Sequence, residues 1–170
     1  MNVVLCGMMG VGKTTIGAYL AQVLGFCQVD TDDLIVKKYG DISTIFERRG
    51  EEYFRAIETE IVRALVQEGG LVISVGGGLV LKEENVSLLK KNGKIVYLRA
   101  EAETLAARLS GDMERPLLKA GNGTLLEKIE KLLAVRESTY QEVADFTIDI
   151  DGKTPEEIAG EIMAILQENN

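Results

Sequence analysis

Gly7-Met8-Met9-Gly10-Val11-Gly12-Lys13-Thr14 decides how this chain is read: it fits GxxxxGK[ST] and stands between an apolar run, Val3 to Cys6, and a helical pattern. Glycines let backbone N–H groups turn inward around phosphate oxygens, and the helix that follows adds the positive end of its dipole. Lys13 is then placed to reach β- and γ-phosphates, and Thr14 to offer a hydroxyl to Mg²⁺. A glycine-rich turn with no ligand is the plainer alternative. The strand before and the helix after favour a phosphate cradle, so the motif points to ATP and Mg²⁺ as ligands.

Working outward, short β-branched runs alternate with longer helical patterns. Val3 to Cys6, Phe26 to Val29, Leu71 to Val75, Lys94 to Leu98 and Phe146 to Ile150 read as five strands. Between them lie segments with apolar spacing of three and four, such as Ile16, Leu20, Val23 and Leu24, stopped by Gly25. Near-continuous apolar strands predict burial on both faces, and the alternation predicts right-handed parallel crossovers, hence a three-layer α/β sandwich. Ligands of such sheets sit beyond the carboxyl ends of the strands, where Gly7 to Thr15, Asp30 to Asp33 and Gly76 to Gly78 should converge. Thr154-Pro155-Glu156-Glu157 reads as the capped start of a last helix. The long irregular stretch from about 111 to 123, with three glycines and Arg115-Pro116, reads as a lid.

The 170 residues suit one domain, and a 46% hydrophobic fraction suits one core. A net charge of −8 repels nucleic acid and anionic membrane surfaces, so an anionic ligand must be held by local arginine, lysine or backbone N–H groups. The absence of histidine excludes imidazole bases, Ser-His-Asp triads and histidine-ligated metals. Cys6 and Cys27 both fall in apolar runs and read as buried thiols in a reducing cytosol. No apolar run approaches membrane-spanning length and no leader pattern precedes the first strand, so the expectation is a cytoplasmic protein.

The third strand ends in Ser74-Val75-Gly76-Gly77-Gly78 with no acid, so a metal's outer shell must come from elsewhere. Asp30-Thr31-Asp32-Asp33 is the nearest candidate, with residues 30 and 32 of an extended end pointing the same way. The bland alternative is helix capping, with Asp32 or Asp33 serving only to stabilise the first turn of the following helix. Three successive glycines exceed what a turn needs and suggest that a ligand approaches the backbone. Arg55 and Glu58, three apart on a helix, and Arg136, a turn before Tyr140, read by spacing alone as ordinary solvated or paired charges.

Taken together, GMMGVGKT, Asp30-Thr31-Asp32, Gly50-Glu51 leading to Phe54-Arg55-Ala56-Ile57-Glu58, Gly76 to Gly78, Arg115-Pro116-Leu117-Leu118, and Arg136 with Tyr140 resemble the shikimate kinase family in order and spacing along nearly the whole chain. The resemblance implies the P-loop, nucleoside monophosphate kinase-like fold with a five-stranded parallel sheet ordered 2-3-1-4-5. It also implies transfer of the ATP γ-phosphate to the 3-hydroxyl of shikimate, within chorismate and aromatic amino-acid biosynthesis. On that pattern Gly10, Val11, Gly12, Lys13, Thr14 and Thr15 bind the phosphates; Thr14 ligates Mg²⁺, and Asp30 reaches it through water. Asp32 takes the reactive hydroxyl, Arg55 and Arg136 clamp the substrate carboxylate, and Gly77 within Gly76 to Gly78 donates to a substrate hydroxyl. Arg115 swings in on the lid, Arg108 and Lys153 flank adenine, and Glu58 orients Arg55. Residues 1–170 form one kinase domain with a substrate-binding helical segment at about 32–60, working as a monomer. One departure is Arg136-Glu137-Ser138-Thr139-Tyr140, where the family often has a Pro-Leu-Tyr ending; arginine and tyrosine are both kept.

Rival readings are other small-metabolite kinases such as gluconate kinase, a nucleoside monophosphate kinase, and a non-catalytic ATP-binding module. The glycine triplet and paired arginines argue against the first. No base-binding pocket is evident for the second, and Lys13, Asp32 and Arg115 are all present against the third. A GTP switch requires NKxD, which is absent, and Leu109-Ser110-Gly111-Asp112 is only a fragment of an ABC-type signature.

Overall fold

The computed structural model describes residues 1–110 and 121–169. In chain order the elements are β1 (Asn2–Cys6), α1 (Lys13–Leu24), β2 (Cys27–Asp30), α2 (Thr31–Tyr39), α3 (Ile42–Leu65) and β3 (Leu71–Ser74). A 3₁₀ turn (Leu79–Leu81) follows, then α4 (Glu83–Lys91), β4 (Gly93–Arg99), α5 (Ala102–Leu109), α6 (Leu125–Val143), β5 (Phe146–Asp149) and α7 (Pro155–Glu168). The strands form one parallel sheet in the order β2-β3-β1-β4-β5, the expected topology. Each expected strand is present, with ends displaced by a residue or so.

Burial on both faces holds for the centre of the sheet and fails at its edges. Val3, Val4, Leu5, Ile73, Ile95 and Leu98 are wholly buried, whereas β2 is exposed or half-buried along its length and β5 buries one residue in four. An edge strand has one neighbour and less helix above it, so continuous apolar character is not demanded there. For the same reason Cys27, expected to be buried, is exposed, while Cys6 in central β1 is buried with its thiol pushed up to about 12 by desolvation. Each fully buried aliphatic side chain of the central strands is worth about 1.5–3 kcal/mol. Val23 lies on the outer side of α1 and is exposed, so the buried stripe of that helix is Ile16, Gly17, Leu20 and Ala21.

Helix α1 packs against α7 and onto β2 and β3, α3 packs against α2 and α4, and α4 and α6 pack against β4. Gly25 ends α1 in the left-handed region (φ 68°), and Thr154 with Glu157 forms the expected capping box on α7. A second capping box, Thr124 with Glu127, starts α6. Within α3 the helix breaks at Gly50 (φ 82°, ψ 171°), a backbone conformation open to glycine alone. No helix among the described residues is long and apolar enough to cross a membrane.

Candidate active site

The carboxyl ends of β1, β2 and β3 deliver three loops to one cleft of about 400 Å³, as the topology requires. Its lining includes Gly10, Gly12, Lys13, Thr14 and Thr15 from the first loop, Asp30 and Asp32 from the second, and Gly76 and Gly77 from the third, with Arg108 across from them. Gly7, Gly10 and Gly12 have φ values of 142°, 82° and 95°, which is why this loop is written in glycine. The Lys13 ammonium donates to the carbonyls of Gly7 (2.8 Å) and Met8 (3.0 Å), so the loop holds its own cation over the cradle. Arg108 donates from Nη1 to the Val11 carbonyl at 3.1 Å, and Val11 itself is core.

Asp30 ends β2 and is the N-cap of α2. Its Oδ1 accepts from the backbone N–H of Asp32 (2.9 Å) and Asp33 (3.4 Å), and its Oδ2 accepts from the Thr14 hydroxyl (2.8 Å). This corrects two expectations. The chain turns helical at Thr31, so Asp32 does not share an extended end with Asp30, and capping falls to Asp30 while Asp32 and Asp33 occupy the first helical turn. One residue therefore both starts the helix bearing Asp32 and faces the phosphate loop. Thr14 Oγ1 and Asp30 Oδ2 are hard oxygen donors side by side at the cradle, a set that suits a small divalent cation.

Buried Thr31 ties the second loop to the third by accepting from the Gly76 N–H at 3.0 Å. The Ser74 hydroxyl donates to the Lys13 carbonyl (3.0 Å), and Gln28 donates to the Thr14 carbonyl (2.5 Å). The sequence carries no signal for these ties beyond polar residues in or beside apolar strands.

The glycine triplet turns, with the Leu79 N–H donating to the Gly76 carbonyl at 3.0 Å, and it also does more. None of Gly76, Gly77 and Gly78 has a positive φ. A Cβ at Gly76 would stand 2.9 Å from Asp32 Oδ1 and 3.1 Å from Glu58 Oε1. At Gly77 it would stand 3.2 Å from Arg136 Nη1, and at Gly78 2.5 Å from both Nη atoms of Arg55. The close approach is thus made by the protein's own charged side chains, and three backbone positions gather Asp32, Glu58, Arg136 and Arg55 within one turn.

Arg136 and Tyr140 come from α6 and are both buried, not solvated as helix spacing alone suggests. Arg136 is 4% exposed, and its Nη1 has no hydrogen-bond partner among the described residues. Tyr140 stacks against Tyr97 (centroids 5.0 Å apart) and donates to the Gly77 carbonyl at 2.5 Å; burial pushes its hydroxyl up to about 12, so it remains a donor. Arg55 donates to Glu58 (2.7 Å) and to Glu51 (3.1 Å), which gives the expected orienting role of Glu58 a geometry. Lys153 is not among the residues lining this cleft, and its ammonium is held by Glu161 at 2.8 Å. Its turn is joined to the start of α5, the helix of Arg108, because the Glu101 N–H donates to Asp151 at 2.9 Å. Arg115 and most of the expected lid lie outside the described residues.

The sequence model of the shikimate kinase family matches residues 9–167. A shikimate kinase of Geobacter sulfurreducens is 44% identical over 99% of this chain and 92% of its own length, and one of Caldicellulosiruptor bescii is 46% identical over 96% and 94%. Among solved structures, the shikimate kinase from Acinetobacter baumannii in complex with shikimate superposes with a TM-score of 0.93 at 37% identity, covering 99% of this chain and 94% of that one. A gluconokinase from Sinorhizobium meliloti superposes at 0.68 with 20% identity, a likeness of fold. Matched along nearly its whole length by the family's sequence model and by these relatives, the chain belongs to the shikimate kinase family.

Proposed function

We propose that this cleft phosphorylates the 3-hydroxyl of shikimate from ATP, giving shikimate 3-phosphate and ADP, with the glycine triplet as the floor of the acceptor side. Membership in the family makes the chain an ATP-dependent kinase acting on an alcohol of shikimate. The observation that carries the assignment of residues is Arg136: a buried guanidinium with a donor nitrogen unpaired among the described residues, beside the Gly77 backbone. Desolvating a guanidinium is unfavourable unless an anion completes it, and with Arg55 close by on Gly78 it supplies a second planar fork for a carboxylate.

On this reading Gly10, Val11, Gly12, Lys13, Thr14 and Thr15 hold the nucleotide phosphates, and Arg108 and Lys153 flank adenine. Thr14 would ligate Mg²⁺ and Asp30 would reach it through water; when bound, the ion would neutralise phosphate charge. Asp32 accepts hydrogen bonds from the acceptor's hydroxyls and takes the proton of the attacking one; a carboxylate suffices, because phosphoryl transfer through a loose transition state asks little of its base. Gly77 donates its N–H to a hydroxyl, and Arg115 stabilises charge on the transferring group from the lid at about 111–123. The catalyst works as a single kinase domain over residues 1–170, with its substrate-binding segment at about 32–60. It acts as a monomer in the cytoplasm, and the net charge of −8 supports the reading that neither nucleic acid nor an anionic membrane is its partner.

The test is ADP release measured in parallel with shikimate, gluconate and nucleoside monophosphates. Turnover with shikimate alone is expected; turnover with gluconate or a nucleotide instead would overturn the acceptor assignment. Arg136→Ala is expected to raise the KM for shikimate far more than that for ATP.

A further inference from the structure

Glu58 is the buried acid that the phosphoryl-transfer chemistry leaves over. Its side chain is 1% exposed, on the inner face of α3. Oε2 accepts from Arg55 at 2.7 Å, and Oε1 has no hydrogen-bond partner among the described residues. The direction in which Oε1 points holds another acceptor: it and Asp32 Oδ1 lie 3.1 Å and 2.9 Å from one point above Gly76. An ionised carboxylate oxygen, stripped of water, facing a second carboxylate and no donor, is an unfavourable arrangement that a proton on Oε1 relieves, by making it a donor.

The charged groups around Glu58 come from three helices. Arg55 stands on its own helix, with Glu51 reaching it only through that arginine; Asp32 faces it from α2, and Arg136 from α6. From the start of α4 comes Lys82, which donates to Thr59 (2.8 Å), the next residue along. The end of β3 contributes only glycine backbone. Two arginines thus face two carboxylates, with the Lys82 ammonium one residue further off on Thr59. Burial outweighs the arginines and, with Asp32 adding to it, lifts the Glu58 carboxyl to about 7.

Bringing a carboxylate to Arg55 and Arg136 places a third anion among two cations. We infer that Glu58 takes up a proton from solvent as the substrate's carboxylate settles between Arg55 and Arg136, so that anion and proton bind together. The step is a protonation alone: Oε1 gains an O–H bond, the buffer loses the proton, and the Arg55 fork, released from a charged neighbour, keeps its charge for the substrate. Asp32 remains the anionic carboxylate that meets the reacting hydroxyl. The inference deepens the kinase reading and rests on it for the identity of the bound anion.

The composition makes this measurable. The chain has no histidine, so few side chains other than Glu58 change charge near neutral pH. Binding of shikimate to the full chain is followed by titration calorimetry at about pH 8 in two buffers of contrasting ionisation enthalpy, where the free protein holds Glu58 mostly ionised. The expected result is uptake approaching one proton per shikimate bound in the wild type, and loss of that uptake in Glu58→Gln. Binding with no buffer dependence in the wild type would overturn the inference while leaving the kinase reading intact, and this arm needs no variant to fold. Uptake that survives Glu58→Gln would also overturn it by assigning the proton elsewhere. No shikimate binding at all would overturn both.

Discussion

At the scale of single residues, the glycine triplet is governed by what touches it and not by its own conformational freedom. An alanine at Gly78 is allowed by its backbone (φ −98°) but meets the Arg55 guanidinium at 2.5 Å, the far end of a flexible side chain that can move aside. Gly78→Ala is therefore expected to keep its thermal midpoint within a few degrees while raising the KM for shikimate at least about tenfold, with the KM for ATP unchanged. Equal shifts for both substrates would show that the glycine serves the whole cleft. Asp32→Asn is expected to lower kcat by about a hundredfold or more, with nucleotide binding unaltered, in steady-state assays and a direct ATP titration. Sequence showed these residues unevenly. Lys13 and Thr14 are legible because a motif fixes their context, and Asp32 because it lies in an acidic cluster at a strand end. Arg136 and Tyr140 are not legible from spacing, since a helical arginine looks alike whether α6 buries it or leaves it in water; only the packing against Gly77 distinguishes the two. Thr31 and Ser74 gave no signal beyond being small and polar.

At the scale of elements, strand identities and helix ends were readable because β-branched runs, Gly25 and the Thr154 box each have a local cause. The edges of the sheet and the start of α2 were not, because they depend on neighbours: β2 looks apolar yet has one flank open, and Asp30 becomes the cap only once the strand stops there. The break in α3 belongs to the same class. Gly50 adopts a backbone conformation that a side chain resists, with open space around it, so the obstacle to replacement is the backbone itself. Gly50→Ala is expected to destabilise the protein by about 1–3 kcal/mol in urea unfolding, or to straighten the helix and shift Glu51 and Arg55 from their pairing. A variant as stable as the parent with unaltered shikimate KM would contradict this account.

At the scale of the whole molecule, the sheet order follows from alternation and handedness, which is why topology could be stated in advance and the inner arrangement of charges could not. The pH response of stability also lives here. Glu58 has a folded-state pKa lifted from 4.5 to about 7, so the folded protein binds more protons than the unfolded chain between those limits. Stability contributed by this group is present below about 4.5 and is lost as pH rises towards about 7. The surface carboxylates with lowered values, Glu60, Glu84, Asp149 and Glu156, act in the opposite sense and below that window. Denaturant titrations across the window are expected to show a decline in the parent that Glu58→Gln flattens; parallel curves would assign the decline to other groups.

The contrast between the two cysteines gives the molecule a clock of its own. Cys27 lies at the open margin of the sheet, while Cys6 is sealed in the central strand with its thiol held protonated. An excess of thiol reagent should modify Cys27 at once and Cys6 only as fast as β1 is uncovered. The lag between first and second labels, read by mass, then times global opening without an introduced probe, and its lengthening by nucleotide or shikimate would report how firmly each ligand fastens the fold.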